Sequence, residues 1–127
     1  MSILVLEDLK KAFGDDLEND QITEISVNKP LEYFIAMKGT RDMIKKENPN
    51  LTYALLKRLA EGIATETNQT ISEAQPLLSA QIASPQHEGL FFRIQFVRDP
   101  AVTGGSIGLS IRKPSILILP FSASEAI

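Results

Sequence analysis

Two stretches, LFFRIQFV (residues 90–97) and SIGLSIR (residues 106–112), constrain this chain most. Both alternate apolar and polar residues with the period of a half-buried strand. Phe92, Ile94 and Phe96 share one face of the first stretch, with Arg93 and Gln95 on the other. In the second, Ile107, Leu109 and Ile111 alternate with Ser106, Gly108, Ser110 and Arg112. The intervening RDPAVTGG is rich in turn residues and reverses the chain, with Gly104 and Gly105 at the bend. The result is an antiparallel hairpin whose single apolar face has to be covered. A symmetric register places Phe92 opposite Ile111, Ile94 opposite Leu109 and Phe96 opposite Ile107, so each apolar residue meets an apolar partner. On the polar face the same register sets Arg93 opposite Ser110 and Arg112 opposite Phe91. The two arginines become diagonal neighbours, with Cα atoms roughly 7–8 Å apart. Guanidinium groups so placed suit a phosphate or carboxylate. Spacing alone favours a plainer reading, in which both are solvated or pair with acidic residues from elsewhere.

The other elements follow from periodicity. Residues 3–13, ILVLEDLKKAF, put Leu6, Leu9 and Phe13 on one helical face, flanked by Val5 and Ala12, and Gly14 ends that helix. DDLEND reads as a solvated acidic loop; Gln21 stands where a calcium loop needs its turn glycine, and no bidentate glutamate follows at the right distance. ITEISVN (22–28) is a strand with Ile25 and Val27 on one face and Glu24 and Ser26 on the other. Asn28-Lys29-Pro30 turns the chain into a second strand, LEYFIAM (31–37). KGTRDMIKKENPN reads as a polar loop with at most one helical turn. LTYALLKRLAEGIATET (51–67) is the clearest helix: Leu55, Leu59 and Ile63 recur along one stripe beside Leu51 and Leu56, and Thr52 or Asn50 can cap its start. Residues 68–79 are mixed in pattern, with Pro76 barring an internal helix, and 84–89 form a loop. The order of helix, strand pair, helix, strand pair predicts an α+β fold: an antiparallel sheet of 22–28, 31–37, 90–97 and 106–112 with helices packed on one face.

Several function classes are excluded. With 127 residues the chain is the size of one domain. There is no cysteine, hence no disulfide framework and no thiolate metal site. The formal net charge of −3 is not that of a general nucleic-acid binder. Apolar runs fall far short of a membrane span, and Glu7, Asp8, Lys10 and Lys11 interrupt the start too early for a signal peptide, so the reading is cytosolic. His87, the one histidine, lies in a polar loop with no partners that would make it a triad member or zinc ligand. TGGSIGLS fails as a phosphate loop, because Gly108 is followed by Leu109 and Ser110 instead of Lys and a hydroxyl residue opening a helix. No catalytic residue and no metal ligand is identified, and the chain by itself is not expected to hydrolyse a nucleotide.

Four stretches, ITEISVNKP (22–30), ISEAQPLLSA (71–80), RIQFV (93–97) and SIGLSIRKPS (106–115), in that order and at these separations, resemble the N-terminal domain of the ring-forming traffic ATPases of type IV secretion and conjugation systems. The resemblance runs from about residue 3 to residue 115, and its last motif is the most specific. It implies a sheet-and-helix domain followed by a linker and a RecA-like ATPase domain. It also implies six subunits in a double ring, with ATP and magnesium held between the two domains. Arginines of the RIQ and SIRKPS motifs would reach the nucleotide phosphates; here they are Arg93 and Arg112. Implied partners are the chain's own ATPase domain, neighbouring subunits of the homohexamer and inner-membrane secretion components, at the cytoplasmic face of that membrane, with no direct nucleic-acid binding. No tightly bound cofactor is expected on this chain.

The sequence departs from the family pattern at three points. Leu31 stands where the family has glycine after NKP, and since leucine disfavours positive φ the turn is expected to differ in type. Leu90-Phe91-Phe92 separates Gly89 from Arg93, which would lengthen the strand. Residues 1–115 read as the N-terminal domain and 116–127, ILILPFSASEAI, as linker towards an ATPase domain outside these residues. An alternative from another class is a stand-alone module that binds secretion components without nucleotide.

Overall fold

The computed structural model describes residues 3–71, 76–84, 87–99 and 106–114. Helix α1 (Ile3–Phe13) runs into a short 3-10 helix (Gly14–Glu18), then strands β1 (Ile22–Val27), β2 (Glu32–Met37) and β3 (Met43–Glu47). Helix α2 (Tyr53–Glu66) leads to β4 (Leu77–Ala83), β5 (Phe91–Asp99) and β6 (Ser106–Arg112). All neighbouring strands are antiparallel, in the order β3-β2-β1-β6-β5-β4. The chain thus makes two three-stranded meanders and zips them together through β1 and β6. Both helices lie on one side, giving the predicted α+β architecture.

The core explains why. Ile25, Val27, Ile35, Phe92, Ile94, Phe96, Leu109 and Ile111 point from the sheet to one side and are nearly inaccessible to solvent. Against them α2 lays Leu55, Leu56, Leu59, Ala60, Ile63 and Ala64, and α1 lays Val5, Leu9, Ala12 and Phe13. The predicted stripe of α2 is therefore buried. On α1 the buried face is rotated from the predicted one, so that Val5 lies inside it and Leu6 only at its margin. Gly62 lets the helices approach: a Cβ there would meet Val5 Cγ2 at 3.0 Å. Thr52 is the residue that caps α2, its hydroxyl accepting from the Leu55 N–H at 3.1 Å. At the other end Asn68 takes a left-handed φ of 55°. The N–H of Gln69 then reaches the carbonyl of Ala64, closing a Schellman-type cap.

Five expectations need correction. KGTRDMIKK is not a loop, since Met43–Glu47 pair with β2 as an edge strand. It carries exposed lysines, which protect edges and erase the alternation that marks a strand. Likewise Leu77–Ala83 form the opposite edge, with Leu78 and Ile82 inward and Leu77 exposed. The acidic loop is not simply solvated. Leu17 plugs the core, and Asp16 accepts the Tyr33 hydroxyl at 2.7 Å. Burial, then that bond, push the Tyr33 phenol well above its ordinary range. Leu31 does adopt positive φ, 74°, so leucine here occupies the conformation glycine would favour.

The fifth correction concerns the β5–β6 hairpin. Its register is Arg93 to Arg112, Ile94 to Ile111, Gln95 to Ser110 and Phe96 to Leu109, two residues from the symmetric one. Both registers match apolar with apolar, because a two-residue slip keeps every side chain on its own face. β5 runs two residues further than predicted, with Arg98 and Asp99 paired instead of turning, whereas β6 keeps its predicted bounds. Gly104, Gly105 and residues 116–127 lie outside the described residues, as does the predicted domain boundary at residue 115.

Candidate functional site

The face of the sheet away from the helices is crossed by two rows of side chains on strands β4, β5, β6 and β1. The first row reads Gln81, Arg93, Arg112, Glu24. The second reads Ser79, Gln95, Ser110, Ser26. Their β4–β6 portion lines a groove of about 480 Å³. Strand alternation places the β5 and β6 side chains here, since Arg93, Gln95 and Ser110 each lie between two buried apolar residues.

Arg93 and Arg112 are direct cross-strand partners, closer than the diagonal neighbours that the symmetric register gives. Opposed residues on antiparallel strands have Cα atoms about 4.5–5.5 Å apart. Like charges so placed oppose folding mildly unless something neutralises them. Glu24, opposite Arg112 on β1, offers partial neutralisation, its Oε1 lying 3.8 Å from Arg112 Nη2. The Arg112 side chain remains 70% exposed. Arg93 makes no ion pair among the described residues. The groove therefore holds two guanidinium groups with uncharged amides and hydroxyls alongside and the Glu24 carboxylate at its flank, and it can take an anion with several acceptor oxygens.

The end of β6 is pinned from beneath. Lys113 turns towards the core, 7% exposed, and its Nζ donates to the Asn19 carbonyl at 2.6 Å. Its backbone N–H donates to Thr23. Burial pushes this ammonium below the usual lysine range, against the pull of Asp20, Asp16 and Glu18. His87 lies close by, its Nε2 3.0 Å from Asp20 Oδ1. This side-chain hydrogen bond is the contact it makes with an acidic residue, and it joins no metal-binding group among the described residues. No group of His, Cys, Asp and Glu fit to hold a metal occurs among the described residues.

Sequence reasoning named both arginines and their shared face. It missed Ser79 and Gln81, because β4 went unrecognised, and it missed Lys113, whose burial no local pattern announces. Glu24 was placed on the correct face, but its position beside Arg112 depends on β1 pairing with β6.

Two layers, with helices on one sheet face only, define an α+β domain whose other face is available to a ligand or a further domain. No protein-family model matches the chain. It is 40% identical over 99 residues to the type IV secretion system protein VirB11 of Brucella suis, covering 78% of this chain and 25% of that protein. It is 36% identical over 99 residues to VirB11 of Bartonella henselae, and 31% identical over 106 residues to PtlH of Bordetella pertussis. Among solved structures, the VirB11 ATPase of Brucella suis in complex with sulphate superposes with a TM-score of 0.72 at 34% identity, over 97% of this chain and 35% of that one. The Legionella pneumophila ATPase DotB shares the fold, with a TM-score of 0.55 at 17% identity, over 87% of this chain and 32% of its own. The chain is a homologue of the VirB11 and PtlH type IV secretion proteins across most of its length, and it spans about a quarter of theirs. No helix among the described residues is long and apolar enough to cross a membrane.

Proposed function

We propose that this chain is the N-terminal assembly and nucleotide-contact domain of a type IV secretion traffic ATPase, and that Arg93 and Arg112 bind the phosphates of ATP. The observation that carries the reading is the pairing of two exposed arginines side by side in a groove on the sheet face that the helices leave open. A homologue of the same fold is an ATPase that has been crystallised with sulphate, a tetrahedral oxyanion like phosphate. In this proposal residues 1–115 are the domain, 116–127 lead towards an ATPase domain carrying the P-loop and magnesium, and ATP lies between the two. Six such subunits close a ring at the cytoplasmic face of the inner membrane, where ATP hydrolysis powers substrate transport or pilus assembly. The chain by itself turns over no ATP, because it has no lysine and hydroxyl pair of the kind that holds the β/γ-phosphates and magnesium.

A hydrogen bond to a charged group contributes about 1.5–3 kcal/mol, so Arg112→Ala in the ATPase-bearing protein should weaken nucleotide binding or turnover by roughly 10- to 150-fold. Steady-state ATPase assays on the ring protein test this. Unchanged turnover and affinity would remove Arg112 from the nucleotide site.

A further inference from the structure

The open face grades in chemistry along β4, β5 and β6, and the grading continues past the groove. Two residues beyond the row of Ser79, Gln95 and Ser110 comes a third row, Leu77, Val97 and Gly108, again cross-strand partners. Leu77 and Val97 are 54% and 48% exposed, although both are large and apolar. Gly108 adds no side chain, so the sheet surface beside Val97 is bare. A Cβ at Gly108 would touch only backbone oxygens, those of Val27 at 3.6 Å and Val97 at 3.9 Å, which is ordinary contact. Packing within the chain therefore does not demand a glycine here. Successive rows on one face lie about 7 Å apart, so the three rows span about 14 Å.

Along that distance the surface is first cationic, then polar and uncharged, then apolar and flat. We infer that the three rows form an extended nucleotide platform: Arg93 and Arg112 for the phosphates, Gln95 and Ser110 for the ribose hydroxyls, and the Leu77–Val97–Gly108 shelf for one face of the base. The inference rests on the phosphate reading above and extends it to groups that reading leaves unassigned. Amide and hydroxyl side chains donate to and accept from a sugar without competing for the phosphates. An apolar shelf with one bare position suits a planar ring, which gains by covering exposed leucine and valine. Nothing on the shelf reads one base against another, so ATP and GTP bind alike.

Equilibrium titration of this chain, followed by backbone amide shifts, tests the platform with ATP and inorganic tripolyphosphate as paired probes. ATP is expected to bind about tenfold more tightly than tripolyphosphate, the equivalent of about 1.4 kcal/mol. Gly108→Val, which suits a strand and covers the shelf, should erase that advantage and leave tripolyphosphate binding unchanged. Leu77→Ser on the exposed edge should reduce the advantage in the same sense, independently of how β6 tolerates valine. Arg112→Ala should weaken both probes together. Equal affinities of ATP and tripolyphosphate in the unaltered chain would overturn the platform while keeping the phosphate site. An ATP advantage that survives Gly108→Val and Leu77→Ser in folded protein would also overturn it. Binding of neither probe, or indifference of both to Arg112→Ala, would overturn the phosphate reading and the platform with it.

Discussion

Leu31 holds the most costly backbone in the described chain. A left-handed φ of 74° on a leucine costs about 1–2 kcal/mol, and the side chain recovers little because it is 51% exposed. Two backbone bonds hold it there: its N–H donates to Leu51 at 2.7 Å, and its carbonyl accepts from Asn48 at 2.9 Å. Both tie the β1–β2 turn to the segment entering α2. Leu31→Gly should keep those bonds and relieve the strain, raising stability by up to about 1 kcal/mol after glycine's entropy cost. A loss above about 1 kcal/mol in denaturant melts would show that the leucine side chain contributes what the turn does not. Asp8 makes a second residue-scale case. Its carboxylate is 13% exposed and accepts two bonds from Arg58, at 2.8 and 2.7 Å. The hydrogen bond to Arg58, then its charge, hold the acid below its usual range against the opposing effect of burial. A depressed folded-state value means the pair stabilises above the unfolded carboxylate's titration and is lost as pH falls through the folded one. Asp8→Asn should therefore destabilise at neutral pH, and melts of the two proteins should converge in acid. A gap that persists at pH 2 would assign the effect to shape and not to charge.

Among the elements, α2 bears most on the core. Leu59 of α2 is fully buried in the core, and Leu59→Ala should cost roughly 2–5 kcal/mol. A change below about half a kcal/mol, the range of surface positions, would mean that the stripe is not core. α2, β1, β2 and the β5–β6 hairpin were legible in the sequence because their apolar period is regular and each has one wet face. β3 and β4 were not, since edge strands have lysines, small residues and exposed leucine where the period should be. Hairpin register was illegible for a different reason. A slip of two residues conserves the pattern, so the choice passes to turn geometry and to the pairing of β1 with β6. The arginine face was legible from alternation alone, whereas the contact between Arg93 and Arg112 depended on that register. Lys113 shows a further limit. It sits in the sequence as a polar neighbour of Arg112, yet it is buried by the 3-10 helix that precedes β1, ninety-odd residues away.

At the scale of the whole molecule, the fold separates stability from recognition. Helices and the buried apolar side chains occupy one face of the sheet, and the other carries two arginines, a glutamate, a bank of uncharged polar groups and the exposed Leu77 and Val97. Direct apposition of two arginines contributes nothing to folding, and the Arg112–Glu24 pair is exposed enough to contribute at most about 1 kcal/mol. The central claim is that this apposition exists to hold an anion. It is tested most directly by measuring pyrophosphate affinity and denaturant stability together, for the unaltered chain and for Arg93→Ala, Arg112→Ala and the double variant. The prediction is a loss of affinity in each single variant and a larger one in the double, with stability within about 0.5 kcal/mol of the parent throughout. Variants that unfold while pyrophosphate affinity per folded molecule stays unchanged would contradict it, and would give Arg93 and Arg112 a structural role instead.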